Sequence, residues 1–537
     1  PPDFMRALLR PFLAGAAAAA CAAGAVPAAA QSPDLGAEVT VGSEAERYLR
    51  VLQVGGEVPL YPWSVRGFSP GEVSRLLPAD PSHPWADRVA GAAADSALLR
   101  LVRPQLDVVF NSAMPQGTND GAVWAGRGLT ASASAGVQFR AGPLSVRLEP
   151  LVYWSQNRDF RLVPNGRPDT AAFRDPRSPV YIDLPQRMDE GAFARLDPGQ
   201  STIRLDVRGF AVGFSTANQQ WGPASDQPLL LGTNAGGFPH GFAGTSNPWK
   251  VGIGRVHGRL VWGSLHQSPY SPMPEGHGSR RFMSGISAVF LPYGLDGLEV
   301  GVARFYHQAW PRSGFDLSLL PRPLEAFWRN SLRFSDEAGL NQVASVFGRW
   351  VLPEGGVEVY GEFAREDHSF DYDDFILEPD RSSGYMLGGR KVWGTGRARR
   401  SFRAEWVNTQ PGHLEQASNQ STNLYRHIDL WQGHTVGGQL LGSLAGYGGG
   451  GTVLALDTYT PGGRWSVDYT RTRLGSPRTV RGEEYGVNLI HSLGGEVIVF
   501  RGGSDLVGRL RASRETNRYP GESVFNVTAE LGARIGF

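Results

Sequence analysis

The sequence predicts an all-β protein, a transmembrane antiparallel β-barrel, and three observations support that prediction. The last thirteen residues alternate without a break between apolar residues and polar or small ones, which is the period of a β-strand. The chain has 70 glycines in 537 residues and is 10% aromatic, a composition that suits many strands joined by turns. The mean hydropathy is −0.25, and beyond residue 30 no apolar stretch reaches the roughly 20 residues of a spanning helix.

The C-terminal segment is the clearest strand in the sequence. Its apolar face is formed by Phe525, Val527, Ala529, Leu531, Ala533, Ile535 and Phe537. A strand of this length fits a tilted membrane-spanning strand of about 9–11 residues whose polar face lines a barrel lumen. The terminal phenylalanine also resembles the signal by which outer-membrane barrels are recognised for insertion. An amphipathic strand of a soluble sandwich is the alternative.

The same alternation recurs upstream, with charged residues confined to one face. In the run 202–208, apolar residues at 203, 205 and 207 alternate with polar or charged ones. The charged faces together carry seven basic and seven acidic residues, namely Arg147, Arg204, Arg208, Arg403, Arg509, Arg511, Arg534, Glu149, Asp206, Glu299, Glu358, Glu362, Glu405 and Glu530. A strongly ion-selective pore would be lined by one sign, so this balance predicts cross-strand ion pairs. We expect Arg204 and Arg208 to form pairs that keep internal loops in place.

The N-terminal residues 1–30 are typical of a secretory signal peptide. A basic start precedes an alanine-rich apolar core at 13–25, which is too short for a spanning helix. Three alanines at 28–30 predict cleavage before Gln31. Cys21, the only cysteine, would be removed with this segment, which would leave a product without disulfides or thiolate metal sites. A lipoprotein acylated at Cys21 is the alternative.

The rest of the chain divides into an N-terminal periplasmic or plug segment at 31–103 and the barrel at 104–537. In the first segment, Ser69 and Glu72 form a predicted capping box, with proline at the first helical position. A second short helix is expected from Trp85 to about Arg100.

Two long polar inserts interrupt the barrel pattern. They are Asn157–Gly199 and Glu366–Ser383, and both are predicted to be large loops, external or folded into the lumen. Gly448–Gly451 is predicted to be a turn.

Several stretches of the sequence resemble one family. They are Tyr48–Gln53, Leu101–Leu106, Asn119–Thr130, Asn218–Pro223 and Leu229–His240. In their order and combined extent, from about Val41 to the C terminus, they resemble the capsule-assembly proteins of the Wzi family. The resemblance implies an outer-membrane barrel of about 18 antiparallel strands, closed by internal loops and accompanied by a periplasmic helical bundle. It also implies a lectin-like role in holding exported capsular polysaccharide at the cell surface. With two predicted helices, this chain departs from a full bundle.

Motifs for catalysis are missing. The sequence has no Gly-x-Ser-x-Gly elbow, no His-Glu-x-x-His and no phosphate loop, so we predict a non-enzymatic protein without a cofactor or metal ion. An outer-membrane lipase or protease, with a triad assembled from distant strands, is the alternative. The acidic run 367–374 lacks the spacing of a calcium loop. A net charge of +1 from 52 basic and 51 acidic residues provides no field toward nucleic acid.

Aromatic side chains in loop-like sequence are the candidates for polysaccharide binding, because an aromatic face packs against the apolar side of a sugar ring. They are Trp221, Trp249, Tyr270 and Trp310. The interfacial aromatic girdle of a barrel is the alternative for each.

The predicted function is therefore that of a non-enzymatic, lectin-like barrel that binds or organises surface polysaccharide. A porin or sugar-selective channel is the alternative. We expect a monomer in the outer membrane that does not conduct freely. Its expected partners are surface polysaccharide, outer-membrane lipid and the barrel-insertion machinery.

Overall fold

Strands of the chain form one closed antiparallel barrel. The structure, a computed structural model, describes residues 38–78, 82–86, 88, 98–273, 278–311, 314, 316–325, 340–366, 382–412, 424–428, 430–475, 478–480 and 483–536. In these residues, 18 strands pair each with its neighbours along the chain, and the first strand closes the barrel by pairing with the last, with Val109 opposite Glu530. The predicted signal peptide, its cleavage site and the terminal Phe537 lie outside the described residues.

Three of the first nine strands are interrupted. The strands are β1 (Leu99–Asn111), β2 (Gly128–Ala141), β3 (Leu144–Leu148 and Leu151–Ser155), β4 (Phe193–Asp197 and Thr202–Val207), β5 (Phe210–Ser215), β6 (His240–Thr245 and Trp249–Val251), β7 (Gly254–His266), β8 (Arg280–Pro292) and β9 (Leu298–Ala309). Each interrupted strand counts as one because both of its parts pair with the same neighbour, as the two parts of β3 do with β2.

The second half of the barrel consists of unbroken strands. They are β10 (Leu340–Leu352), β11 (Val357–Glu366), β12 (Ser383–Trp393), β13 (Arg399–Asn408), β14 (Gly450–Thr460), β15 (Gly463–Leu474), β16 (Asn488–Arg501), β17 (Ser504–Tyr519) and β18 (Glu522–Arg534). Two small hairpins lie in the loops, Thr435–Val436 with Gln439–Leu440 and Arg478–Val480 with Glu483–Tyr485. Among the described residues outside the N-terminal segment, the helices are the short Arg322–Glu325 and the 3-10 turns Asp169–Phe173, Leu317–Leu319 and Pro353–Gly355.

The strands place apolar side chains outside the barrel and charged ones inside. On β4, Ile203 is 48% exposed whereas its neighbour Arg204 is 3% exposed. On β18, Leu531 is 73% exposed. A soluble sandwich would bury the apolar face and leave the charges in water, whereas a membrane barrel does the reverse. The pattern therefore confirms the barrel and rules out the sandwich.

Exposed tryptophans mark one rim of the barrel. Trp249, Trp350, Trp393 and Trp465 all lie at strand ends joined by short turns. Aromatic rings of this kind sit at the level of lipid headgroups. Outer-membrane barrels keep their short turns on the periplasmic side, so we call this the periplasmic end and the opposite one the loop end.

The structure changes three of the predicted boundaries. The first strand begins at Leu99, so Leu99 and Arg100 belong to the barrel and not to the predicted helix, most of which lies outside the described residues. The strand passes through Pro104 because its register shifts between Val102 and Gln105, and a bulge tolerates a residue that lacks an N–H group. The long loop predicted at 157–199 ends where β4 begins, at 193. The predicted glycine turn at 448–451 is shortened because its last two glycines already belong to β14.

The N-terminal segment lies at the periplasmic end and enters the lumen. Helix α1 (Glu44–Val54) was not predicted, although Ser43 caps it. Helix α2 (Pro70–Val73) carries the predicted capping box, in which Ser69 and Glu72 exchange hydrogen bonds of 3.3 and 2.8 Å. No helix of the described residues is long and apolar enough to cross a membrane.

Candidate functional site

An apolar core fills one half of the lumen. Inward-facing residues of β5–β13, such as Val261, Phe305 and Val343, pack against two loops that fold in from the loop end. The loops are 216–239 and 424–447, and they contribute apolar side chains such as Leu230 and Leu441. We call these two loops and residues 38–78 the plug. The predicted closure by internal loops is thus present in the structure.

A buried carboxylate of β13 anchors the first plug loop. Glu405 accepts hydrogen bonds from the backbone N–H groups of Asp226 at 2.8 Å and Gln227 at 2.9 Å. It also accepts one from the Tyr360 hydroxyl at 2.7 Å. The loop thus presents backbone donors to a strand carboxylate, and charge-assisted bonds of this kind are the strong ones in proteins.

Buried carboxylates of the barrel strands also anchor the N-terminal segment. Glu299 of β9 accepts hydrogen bonds from the backbone N–H groups of Trp63 and Ser64 at 3.0 to 3.1 Å. Glu358 of β11, also buried, forms an ion pair of 2.9 Å with Arg50 of α1. Arg349 of β10 bridges the two glutamates. Lumen charges therefore pair with the plug as well as across strands.

An arginine and a histidine hold the second plug loop. Arg281 of β8 donates to the carbonyl groups of Gly433 and Thr435. The His434 ring stacks on Tyr425 with 5.4 Å between ring centroids and bonds to the Leu230 carbonyl at 2.6 Å. Burial lowers the pKa of His434 to about 4, so the ring is neutral at neutral pH.

A pocket of about 220 Å³ opens above the plug at the loop end. We call it the outer pocket. Its walls combine proline and leucine side chains with Tyr447, Arg177, Asn488 and Arg518. Burial and the nearby Asp175 carboxylate raise the pKa of Tyr447, so the phenol stays protonated and donates to Asp175. Arg177 forms no ion pair among the described residues.

A larger polar cavity of about 740 Å³ occupies the other half of the lumen. Its walls are mainly β14–β18 and β1–β3, together with the start of α1, residues between 114 and 125, and Trp85 and Arg88 of the N-terminal segment. Leu444, Leu474, Glu515 and Arg518 line both this polar cavity and the outer pocket. The two spaces are therefore adjacent.

The structure corrects the prediction for two of the aromatic candidates. Trp221 is 0% exposed and packs edge-on against Phe305 in the plug core, so it cannot stack on an external sugar. Trp249 is 36% exposed but lies at the periplasmic end, where its indole donates to the Gly209 carbonyl at 2.9 Å. It belongs to the aromatic girdle, which was the alternative for it.

The other two candidates lie at the loop end. Tyr270 is half-buried and packs edge-on against Phe173 at 5.2 Å. Trp310 follows β9, and the guanidinium of Arg280 lies 4.8 Å from its ring centroid. Both positions are compatible with a surface that meets an external ligand, although neither residue lines the outer pocket.

The two predicted lumen arginines differ in position. Arg204 points inward and forms ion pairs with Glu72 of α2 at 3.2 Å and with Asp206 at 2.9 Å. Arg208 does not face the lumen, which corrects its prediction. It is exposed in the turn between β4 and β5 and has a positive φ of 49°, because a two-residue hairpin turn needs this backbone conformation.

The resemblance implied closure by internal loops, but which loops form the plug and where the outer pocket lies were not predicted from the sequence. The signal for the plug was present, because Leu229–Leu231 and Leu440–Leu441 are apolar runs inside loops that should otherwise be polar. The outer pocket had no such signal, since its residues come from four distant segments. Among the described residues, no group of three or more His, Cys, Asp and Glu is placed to hold a metal ion.

Fold and site together define a class of protein: a plugged outer-membrane β-barrel of 18 strands. The family model of the capsule assembly protein Wzi matches residues 115–493. This range is more than half of the chain, and the chain belongs to the Wzi family.

A solved structure supports the fold. The chain is similar to Wzi of Escherichia coli, described as a carbohydrate-binding β-barrel involved in group 1 capsule assembly, with a TM-score of 0.63 and 15% identity. The match covers 93% of this chain and 100% of that one. A BenF-like porin from Pseudomonas fluorescens Pf-5 overlaps more loosely, with a TM-score of 0.38 and 10% identity over 82% of this chain and 99% of the porin. No curated protein matches the chain.

Proposed function

We propose that this protein is a non-enzymatic, lectin-like barrel that binds surface polysaccharide at its loop end. The single observation that carries the proposal is the plug, because a lumen half-filled by an apolar core leaves the loop-end surface for ligand binding. Membership of the Wzi family supports the same role, since the relative from Escherichia coli is described as carbohydrate-binding. The plug also argues against a general porin, the alternative function.

The outer pocket is the proposed contact site for one sugar unit of the chain. Its volume of about 220 Å³ equals roughly seven waters at ~30 Å³ each, which is room for a single sugar ring. The proline and leucine walls suit the apolar face of a ring. Arg177, Asn488 and Arg518 provide donors for hydroxyl or carboxylate groups, and arginine favours planar recognition of carboxylates.

The remaining partners follow from the barrel. The apolar exterior suits outer-membrane lipid, and the pairing of Gln105–Asn111 of β1 with β18 closes the sheet on itself. We infer a monomer, inserted by the general barrel-insertion machinery, with the N-terminal segment on the periplasmic side. No catalytic role is proposed.

The test is binding of purified surface polysaccharide by the protein and by the variant Arg177→Gln. Arg177 lines the outer pocket, whereas Arg167 lies exposed in the same loop outside it, so Arg167→Gln is the matched control. A hydrogen bond from a charged donor is worth about 1.5–3 kcal/mol, so Arg177→Gln should weaken glycan binding at least about tenfold. Equal binding by both variants would refute the outer pocket as the site, and no binding by the wild-type protein would refute the function.

A further inference from the structure

The polar cavity runs along nearly the whole height of the barrel. On β17 alone, its lining extends from Asp505 near the periplasmic end to Arg518 near the loop end. These residues are thirteen apart, which is about 40 Å along a strand at ~3.3 Å per residue. With the usual tilt this corresponds to about 30 Å, the thickness of the hydrocarbon core of a bilayer.

Most charges on the walls of this cavity already have partners. Arg511 pairs with Asp468 at 2.8 Å, and Arg509 pairs with Glu496 at 3.1 Å and with Glu530. A charged wall of this kind is stable only when it stays hydrated or paired, because burying a lone charge is costly. The charged lining of the cavity is therefore suited to hydration, in contrast to the apolar core beside it.

The plug contributes a further charge to the same space. Arg47 of α1 is exposed to the polar cavity and forms no ion pair with any described residue. On the opposite wall, Asp107 of β1 accepts a hydrogen bond from Gln105 at 2.7 Å but pairs with no described cation. Both signs of charge are therefore available to solutes in the cavity, which favours weak selectivity between ions.

We propose that the polar cavity is a path through which ions and small polar solutes of either charge move along the barrel, beside the sealed apolar core. Its volume of about 740 Å³ corresponds to roughly two dozen waters at ~30 Å³ each. Spread over the height of the barrel, this space admits a file of water and small ions but not a polysaccharide. The path is a second activity, distinct from glycan binding at the outer pocket, although the two spaces share Glu515 and Arg518.

Substituted cysteines test the path directly, because Cys21 is the only cysteine of the sequence and the unsubstituted protein serves as the background. Thr470 and Ser466 of β15 line the polar cavity at two depths. Ser287 of β8 and Ser345 of β10 are buried in the strands that form the apolar core, and they provide matched controls. Each is replaced by cysteine, and folding is checked by heat-modifiable migration.

The measurement is the rate of reaction of folded protein in liposomes with small cationic and anionic methanethiosulfonates. Thr470→Cys and Ser466→Cys should react at least about tenfold faster than Ser287→Cys and Ser345→Cys, since thiol reactivity follows access. Both reagents should react at rates within about threefold of each other, because the walls carry both signs. Rates at the two cavity positions no higher than at the core positions would overturn the proposal.

Bilayer recording adds a readout of passage itself. The wild-type protein should show a small unitary current with weak ion selectivity, and modification of Thr470→Cys by a bulky thiol reagent should reduce it. The absence of current, or a current unaffected by the reagent, would also overturn the proposal. Glycan binding by the same preparations is scored separately, so failure of this path and failure of the proposed function remain distinguishable.

Discussion

Replacing Glu405 by alanine should release the plug loop 216–239 from the barrel wall. The carboxylate is buried, and it holds backbone N–H groups of the loop at 2.8 and 2.9 Å as well as the Tyr360 hydroxyl at 2.7 Å. Individual bonds to a charged group contribute about 1.5–3 kcal/mol each. Their sum overstates the loss, because the loop relaxes and water enters, so we expect about 3–5 kcal/mol, the usual effect of removing one partner of a buried charged group.

The isosteric change Glu405→Gln should cost less. The amide keeps one acceptor oxygen but loses the charge, and charge-assisted hydrogen bonds are roughly twice as strong as neutral ones. We therefore expect about half the effect of Glu405→Ala. Because the loop can open without unfolding the barrel, the measurement is native-state proteolysis of the loop, with the barrel monitored in parallel by heat-modifiable migration.

A matched control comes from the exposed surface. Glu522 pairs with Arg161 at 2.8 Å, and both side chains are more than half exposed. Such pairs contribute about 1 kcal/mol or less, so Glu522→Ala should leave proteolysis of the loop unchanged. If the loop is proteolysed at the same rate in Glu405→Ala and in Glu522→Ala, the buried carboxylate does not anchor it.

Three further outcomes are expected. Burial lowers the pKa of His434 from 6.5 to about 4. The stability that the neutral ring provides to the plug is therefore complete above about pH 6.5, and about 3 kcal/mol is lost as the pH falls toward 4. Proteolysis of the plug measured against pH should show this loss, and His434→Gln should flatten the profile. Arg204→Ala should loosen the N-terminal segment by about 3 kcal/mol, because it removes the arginine partner of the buried Glu72 carboxylate. Arg208→Ala in the exposed turn should not loosen the segment, and equal protease sensitivity of that segment in both variants would contradict this. Trp221→Ala should destabilise the plug by about 3–5 kcal/mol through the cavity it leaves. Trp249→Ala at the rim should have a much smaller effect on thermal unfolding. A larger effect of Trp249→Ala than of Trp221→Ala would be inconsistent with the positions of the two rings.

The strands could be predicted from the sequence because, in each strand, alternating apolar and polar residues distinguish the outer face from the lumen face. The alternation of Ile203 and Leu205 with Arg204 holds in the structure without any shift of register. Local periodicity fixes which side chains share a face. The prediction that apolar side chains face outward and charged ones inward rested on the predicted signal peptide together with the terminal strand.

The plug could not be predicted in the same way because its contacts are long-range. Trp221 was read as a loop residue, and it is in a loop, but that loop turns inward and its ring meets Phe305 of β9. Helix α1 carried local signals that were overlooked, a cap at Ser43 and acidic residues in its first turn. The buried partners of its charged residues could not be read from the sequence, because Arg50 pairs with Glu358 of the barrel wall. Partners of this kind come from other parts of the chain, and only the folded barrel brings them together.

The two halves of the lumen have a consequence for biogenesis. The apolar core is built on β5–β13, whereas the junction between β1 and β18 borders the wet half. Neighbouring hairpins can therefore assemble around the plug while the first and last strands are still apart. Closing that junction brings together lumen-facing polar side chains such as Asp107 and Glu530, and on the outer face it pairs apolar residues such as Val108 and Leu531. The chain thus places the apolar contacts of its interior away from the two strands whose pairing closes the barrel.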